Sequence, residues 1–418
     1  MATSMAEQLA PMIDALLGTP APLRVQFWDG SGLGPTDGPG VLNLRSPLAI
    51  RRILWAPGQL GLGRAYVAGD LDFEGDVIEV MRAVRNQAPR DQSLLKLAGP
   101  VVSAARKAGA IGTPPPPPAC EYQPKGLRSH TLGRDSQVIQ HHYDVSNEFY
   151  ELVLGPAMTY SCARFAEPTM TLAEAQASKH DHICRKLDLK PGQRLLDIGC
   201  GWGSMVIHAA THYGVSAVGV TISPAQVERA RRRVAEAGLA DRVEIRLQDY
   251  RDLGGDRFDA VSSVGMSEHV GNDNLDRYFA IIRRVLPEHG RLLNHAISSI
   301  GGSKLSKNSF AYRYVFPDGE VIDLGRTIES MQRAGFEARD VESLREHYAT
   351  TLRHWVRNLE AHWDAAVEIA GIERARVWRL YMAASAVGFA GGGLNLHQVL
   401  GVVQDAQGGS GMPPTRPV

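Results

Sequence analysis

Cysteine is scarce: Cys120, Cys162, Cys184 and Cys200 are the only four in 418 residues, and no two form a CxxC pair. That excludes a disulfide-stapled scaffold and a structural zinc ribbon, and it predicts a reducing, cytoplasmic setting. Charge of one sign is not in excess either. Lysine plus arginine equals aspartate plus glutamate at 45 each, so no global basic field draws in nucleic acid. No run reaches the roughly 20 apolar residues that cross a bilayer. The nearest, Tyr381 to Leu394, is short and broken by Gly388, Gly391, Gly392 and Gly393. Residues Met1 to Leu17 carry Glu7 and Asp14 and lack both a basic start and an unbroken apolar stretch, unlike a signal peptide. Any membrane contact is expected to be peripheral.

What is present is an ordinary globular composition, 44% hydrophobic and 22% charged, long enough for two domains. The run Pro114 to Pro118 removes five consecutive backbone donors and favours a stiff polyproline segment. It predicts a small N-terminal α+β domain over 1–113, a linker over 114–126 and a larger domain over 127–418. In the first, Met5, Leu9, Met12, Ile13, Leu16 and Leu17 recur at helical spacing, and Leu23 to Trp28 and Val41 to Leu44 read as strands between turns. This domain is either a packing module or one that presents a lipid or acyl substrate.

From Gln193 to Ser298 the pattern alternates strand and helix. Arg194 to Ile198, Ala217 to Ile222, Val243 to Leu247, Phe258 to Val264 and Arg291 to Ile297 are the strands. Ser204 to His212, Pro224 to Ala237 and Leu275 to Leu286 are the helices, the second capped by Ser223, opened by Pro224 and closed by Gly238. The expectation is a Rossmann-like, doubly wound α/β domain that binds its ligand at the carboxyl ends of the strands.

Those ends carry suitable residues. Asp197-Ile-Gly-Cys-Gly-Trp-Gly203 follows one strand and opens one helix, and its glycines let backbone approach a nucleotide-like ligand. The acid ahead of the glycines suits the ammonium of S-adenosylmethionine better than a pyrophosphate, and neither the GxGxxG spacing nor a Walker lysine is present. Thr221, Ser223 and Gln226 mark the second strand end, and Gln248 and Asp249 the third. Taken singly, each also serves as an ordinary turn or cap.

The motifs His141-His-Tyr-Asp144 with Asn147, Met158-Thr-Tyr-Ser-Cys-Ala163, Leu196 to Gly203, Gly219-Val-Thr-Ile-Ser223, Ser267-Glu-His-Val-Gly271, Asn294-His-Ala-Ile297 and Tyr348 together resemble the cyclopropane-fatty-acyl-phospholipid synthases. That group includes the mycolic-acid cyclopropane synthases and the tuberculostearic-acid methyltransferases of actinobacteria. The resemblance spans roughly Leu127 to Val403, and the stretch from His142 to Ala163 looks most like the tuberculostearic branch. It implies a class I S-adenosylmethionine-dependent methyltransferase fold. It also implies that Tyr160, Ser161, Asp197, Gly199, Gly201, Thr221, Gln226, Gln248 and Asp249 contact the donor. A bicarbonate ion would be held by Cys162, Glu268, His295, Tyr348 and the backbone of Ile297, with no metal.

The implied reaction adds one carbon to the cis double bond of an oleoyl-type chain of a phospholipid through a carbocation. It gives a methylene or methyl branch, the latter with a nicotinamide-dependent reductase as partner, or else a cyclopropane ring. The resemblance further implies a homodimer acting peripherally at the inner face of the membrane. A methyltransferase for a small soluble molecule or a protein, and a lipid-binding protein with a decayed donor loop, are the rival readings. Where members of the group often carry a cysteine near the carboxyl end, this chain reads Met382-Ala-Ala-Ser-Ala386, which excludes a covalent role there. Met266, Phe279, Tyr312, Tyr314 and Phe316 are candidates to line an acyl tunnel, though such residues more often form core. Leu94 to Lys107 fits either a lipid-facing helix or, more commonly, a solvated one.

Overall fold

The computed structural model describes residues 3–87, 99, 102–106, 109–123 and 146–414. The motif His141 to Asp144 and most of Leu94 to Lys107 lie outside them. The chain divides into two compact units. The first comprises Met1–Pro124, Ser306–Pro317 and Leu359–Val387, and the second Lys125–Leu305, Asp318–Asn358 and Gly388–Val418. The first unit thus takes in two later segments that the proline run alone would assign to the larger domain.

In the first unit, strands β1 (Arg24–Gln26), β2 (Gly32–Leu33), β3 (Gly40–Leu44) and β4 (Leu71–Gly75) form a sheet in the order β2-β1-β3-β4, with β1 and β3 parallel. The helix Met5–Leu17 begins on a capping box between Ser4 and Glu7 and buries Leu9, Met12 and Ile13. Phe310, Val315 and Val377, from the two later segments, share this core. Arg52 donates to the carbonyl of Pro116 at 2.6 Å, which holds the proline run to this unit. Arg64 grips both oxygens of the buried Glu121, which also accepts from the hydroxyl of Tyr314.

The second unit is built on a seven-stranded sheet in the order β12-β13-β9-β8-β5-β6-β7. Here β5 is Arg194–Ile198, β6 Ser216–Thr221, β7 Val243–Leu247, β8 Ala260–Val264 and β9 Arg291–Ser298. These five are parallel and are the strands expected from sequence, with ends moved by a residue or two. Sequence reading did not anticipate β12 (Phe336–Ser343) and β13 (Asn395–Val403), which join antiparallel so that β13 pairs with β9. The short strands β10 (Ser303–Lys304) and β11 (Glu320–Val321) pair separately.

One helix of this unit matters for the site. Leu172–Leu187 starts on a capping box between Thr171 and Glu174 and stops at Asp188, which adopts a left-handed conformation. Its buried face carries Ala175, Ile183, Cys184 and Leu187, but also Gln176, Lys179 and His180. Polar groups turned inward on a helix need partners or a ligand.

Candidate active site

The loop after β5 is shaped for close approach. Gly199 sits at φ +76°, and a Cβ there would lie 2.3 Å from the sulfur of Met266, so glycine alone fits. Asp197, at the end of β5, is 3% exposed and accepts from the hydroxyl of Ser262 at 2.6 Å. Burial pushes its carboxyl up to about 6, with Ser262 and Lys179 pulling the other way. Thr221 donates to the side-chain oxygen of Gln226 at 2.7 Å. Asp249 caps the turn Tyr250–Asp252, and both its oxygens take bonds from Arg251. Burial works against charge at Asp249, yet Arg251 outweighs it and holds the carboxyl below its usual range. Gln248 donates to the carbonyl of Asp252.

The segment Tyr160 to Ala163 lies against this loop through several ties. Asn147 accepts from the indole of Trp202, inside the glycine loop, at 2.8 Å. Tyr150 packs on both Trp202 and Tyr160. Ser204 donates to the carbonyl of Ala157. Tyr160 stacks on Trp355, with ring centres 5.3 Å apart, and Trp355 in turn meets Tyr348 edge-on.

A second group of residues converges from β9, β13 and the helix ends. Ser267 is tied to Asn294 at 3.1 Å, which sets the short helix Ser267–Val270 against β9. Glu268 then accepts from the backbone N–H of Ile297 at 2.6 Å, while its other oxygen, Oε2, is shut off from solvent without a partner among the described residues. Burial pushes this carboxyl up to about 7, against the pull of the Ile297 N–H. His295 lies two residues back on β9, and so on the same face as Ile297; it is 1% exposed, and its Nε2 is likewise without a partner.

Cys162 is fully buried, and its thiol points to the carbonyls of Ala163 and Leu344. That same Leu344 carbonyl accepts from the N–H of Tyr348, while the N–H of Leu344 donates to Leu396, which is paired with Ile297 across β13 and β9. A continuous set of contacts therefore links Cys162, Tyr348, Ile297 and Glu268. Burial raises the Cys162 thiol far above its ordinary range, so it is a neutral group here rather than a nucleophile.

Sequence reading missed Lys179. It is 1% exposed, donates to the hydroxyl of Ser161 at 3.0 Å and lies 3.1 Å from Nε2 of His180. No carboxylate pairs with it among the described residues. Burial pulls its ammonium down to about 8, with Cys162 and Asp197 acting in the opposite sense. Gln176 braces the same segment from one turn earlier, donating to the carbonyls of Thr159 and Ser161. Polar residues on a helix read as its solvent face, so nothing in the periodicity flagged these two.

Of the tunnel candidates, Met266 lies at the glycine loop, and Phe279 is fully buried in the core of the second unit. Tyr312, Tyr314 and Phe316 belong to the first unit. Tyr314 is bound to Glu121 and packed in that unit's core.

Comparison with known proteins bears on this arrangement. The family model described as mycolic acid cyclopropane synthetase matches residues 130–399. The chain belongs to that family. A probable fatty acid methyltransferase of Mycobacterium tuberculosis is 42% identical over 402 residues, covering 94% of this chain and 93% of that protein. The cyclopropane-fatty-acyl-phospholipid synthase of Escherichia coli is 35% identical over 379 residues, or 88% of each chain. The solved structure of mycolic acid cyclopropane synthase CmaA1, complexed with SAH and CTAB, matches with a TM-score of 0.60 at 31% identity and covers 66% of this chain and all but 1% of that one. The second unit has the class I methyltransferase fold, and the protein is an S-adenosylmethionine-dependent methyltransferase of this family. A buried acid beside three glycines at positive φ, of which Gly199 has no room for a side chain, fits a compact cationic donor. Among the described residues, no helix is long and apolar enough to cross a membrane, and no group of histidine, cysteine and acidic residues is placed to hold a metal.

Proposed function

We propose that this enzyme transfers a methyl group to a carbon of the cis double bond in an unsaturated acyl chain of a phospholipid. The observation that carries the reading is that Glu268 Oε2, on the short helix that follows Met266, and His295 Nε2, on β9, are both buried and without a partner among the described residues. A methyltransferase for oxygen or nitrogen acceptors has no need of a desolvated proton-accepting site apart from its acceptor. An unactivated alkene does need one, because the cation it forms must lose a proton without meeting water.

Bound at Asp197, Gly199, Gly201, Thr221, Gln226, Gln248 and Asp249, with Tyr160 and Ser161 on the other side, S-adenosylmethionine supplies a methyl group on a sulfonium centre. Asp197 takes the donor's ammonium, and the glycines admit its backbone-hugging portion. Tyr160, Tyr348 and Trp355 offer aromatic faces whose quadrupoles favour positive charge. In the reaction the alkene's π electrons form the new carbon–carbon bond, the sulfur–methyl bond breaks, and S-adenosylhomocysteine leaves. The cation on the neighbouring carbon then loses one proton, directly from the new methyl group to close a ring, or after a 1,2-hydride shift to leave a methylene branch; a weak base held at Glu268 and His295 would take that proton. A bicarbonate ion would be held by the unpartnered atoms of a neutral Glu268 and of His295, which suit its oxygens, and would supply the weak base; Cys162 and Tyr348 are the further proposed neighbours. In this structure the Ile297 N–H is already taken by Glu268, so it serves such an ion only if Glu268 lets go.

The product favoured here is a methylene branch, which a nicotinamide-dependent reductase would convert to a methyl branch; the full-length similarity to a protein named as a fatty acid methyltransferase is consistent with it. The test is incubation of the pure protein with oleoyl phospholipid vesicles and methyl-labelled S-adenosylmethionine, followed by mass spectrometry of the released fatty acids. Label in an acid one carbon heavier is expected, and its fragmentation separates branch from ring. Label confined to soluble small molecules would refute the proposal.

A further inference from the structure

Gln398 stands opposite His295 across the antiparallel pair β13 and β9. Directly opposed residues put their side chains on one face, and here both are sealed from solvent, at 0% and 1% exposure. The amide nitrogen of Gln398 lies 3.3 Å from Nδ1 of His295. An amide nitrogen has no lone pair to offer and can only donate. With the amide nitrogen turned to it, Nδ1 is the accepting, unprotonated nitrogen, and Oε1 of Gln398 is left without a partner among the described residues.

Burial, reinforced by the positive charges of Lys179 and Lys186, keeps His295 well below the ordinary histidine range, so the ring is neutral and carries one proton. With Nδ1 accepting, that proton is on Nε2. This is the nitrogen without a partner among the described residues. A buried N–H left unmatched is unfavourable, and an oxygen ligand would relieve it.

We propose that Gln398 is a positioning residue that locks His295 in the Nε2–H tautomer, so that the pocket presents a hydrogen-bond donor to an oxygen anion such as bicarbonate. It acts through His295 and touches no reacting atom. The inference rests on the reading of His295 as part of the proton-accepting site. A histidine that binds through its far nitrogen has its tautomer set by what its near nitrogen meets, and the partner here is an uncharged amide on the neighbouring strand. An amide fixes the ring without making it a stronger base, as a carboxylate would. That suits a group whose task is to hold an anion rather than to take the proton itself.

The test uses the full chain labelled with nitrogen-15 in histidine. Long-range nitrogen–proton spectra of the ligand-free enzyme, with His295 assigned from a His295→Gln variant, should show the proton on Nε2; a proton on Nδ1 overturns the proposal without recourse to any Gln398 variant. Gln398→Leu should give a mixture of tautomers and lower kcat on the order of tenfold or more, with unchanged affinity for S-adenosylmethionine by calorimetry. Gln398→Glu should move the proton to Nδ1 and lower kcat further. Retention of the wild-type tautomer and kcat in Gln398→Leu would also overturn it. If His295→Gln itself turns over at the wild-type rate, the assignment of His295 to the site fails. If His295→Gln is inactive while both Gln398 variants are not, only the role of Gln398 fails.

Discussion

Replacing Glu268 with glutamine tests the proposed site on two axes at once. The substitution keeps the shape and leaves an amide oxygen to accept from Ile297, whose N–H now bonds Glu268 at 2.6 Å. What it removes is the ionisable oxygen at the buried position. Loss of a positioned acid–base group costs roughly 100- to 10,000-fold in turnover, and donor affinity should be unaffected because Asp197 and the glycine loop are untouched.

Stability should move the other way. Glu268 is raised from 4.5 to about 7 in the folded protein, so the folded state holds its proton more tightly than the unfolded chain. The stability contributed by that protonated carboxyl is complete below pH 4.5 and is lost as pH rises through 7. At about 1.36 kcal/mol per pKa unit, carrying the charge above pH 7 costs on the order of 3 kcal/mol. Denaturant melts at pH 4, 6 and 8 should therefore show Glu268→Gln equal to the parent at pH 4, more stable at pH 6, and more stable by the largest margin at pH 8. Methyl transfer to vesicle lipid, measured in parallel, should collapse. A variant that keeps its turnover, or that is less stable than the parent at pH 8, would refute this account of the carboxyl.

Three further outcomes are expected. Because Asp197 titrates near 6, affinity for S-adenosylmethionine should be about tenfold weaker at pH 5 than at pH 7, and calorimetry on Asp197→Asn should show the weakening without the pH dependence. Gly199→Ala, with a positive φ and a Cβ 2.3 Å from Met266, should cost roughly 2–5 kcal/mol in a urea melt by combining backbone strain with overpacking; a loss below 1 kcal/mol would mean that the loop relaxes freely. Cys162, buried and raised, should resist iodoacetamide at pH 8 in the folded enzyme and react once it is denatured, as read by peptide mass spectrometry; rapid labelling of native protein would contradict its placement.

The parallel half of the large sheet was legible because each strand is a short apolar run followed by a periodic helix, and because Asp197 to Gly203 has a spacing that few other structures need. The residues Cys162, Glu268, His295, Ile297 and Tyr348 lie far apart in sequence, and only the resemblance to a family joined them. Composition and periodicity could not, since each residue alone reads as a core or cap residue. Three things were hidden for physical reasons. Strand β13 directly follows a glycine-rich stretch that reads as a broken apolar segment. The helix Leu172–Leu187 turns Gln176, Lys179 and His180 inward, against the rule that polar side chains face water. The first unit recruits 306–317 and 359–387, and a non-contiguous core leaves no local trace.

The place of β13 has a consequence for biosynthesis. Residues 395–403 are threaded between β12 and β9, so a ribosome stalled anywhere before Asn395 holds a nascent chain whose β9 edge, with His295 on it, has no neighbour to zip against. Such an intermediate exposes a row of open hydrogen-bonding groups of the kind that invites aggregation or chaperone capture. Stop codons that truncate the chain before Asn395 should therefore yield insoluble or degraded product rather than a trimmed, working enzyme.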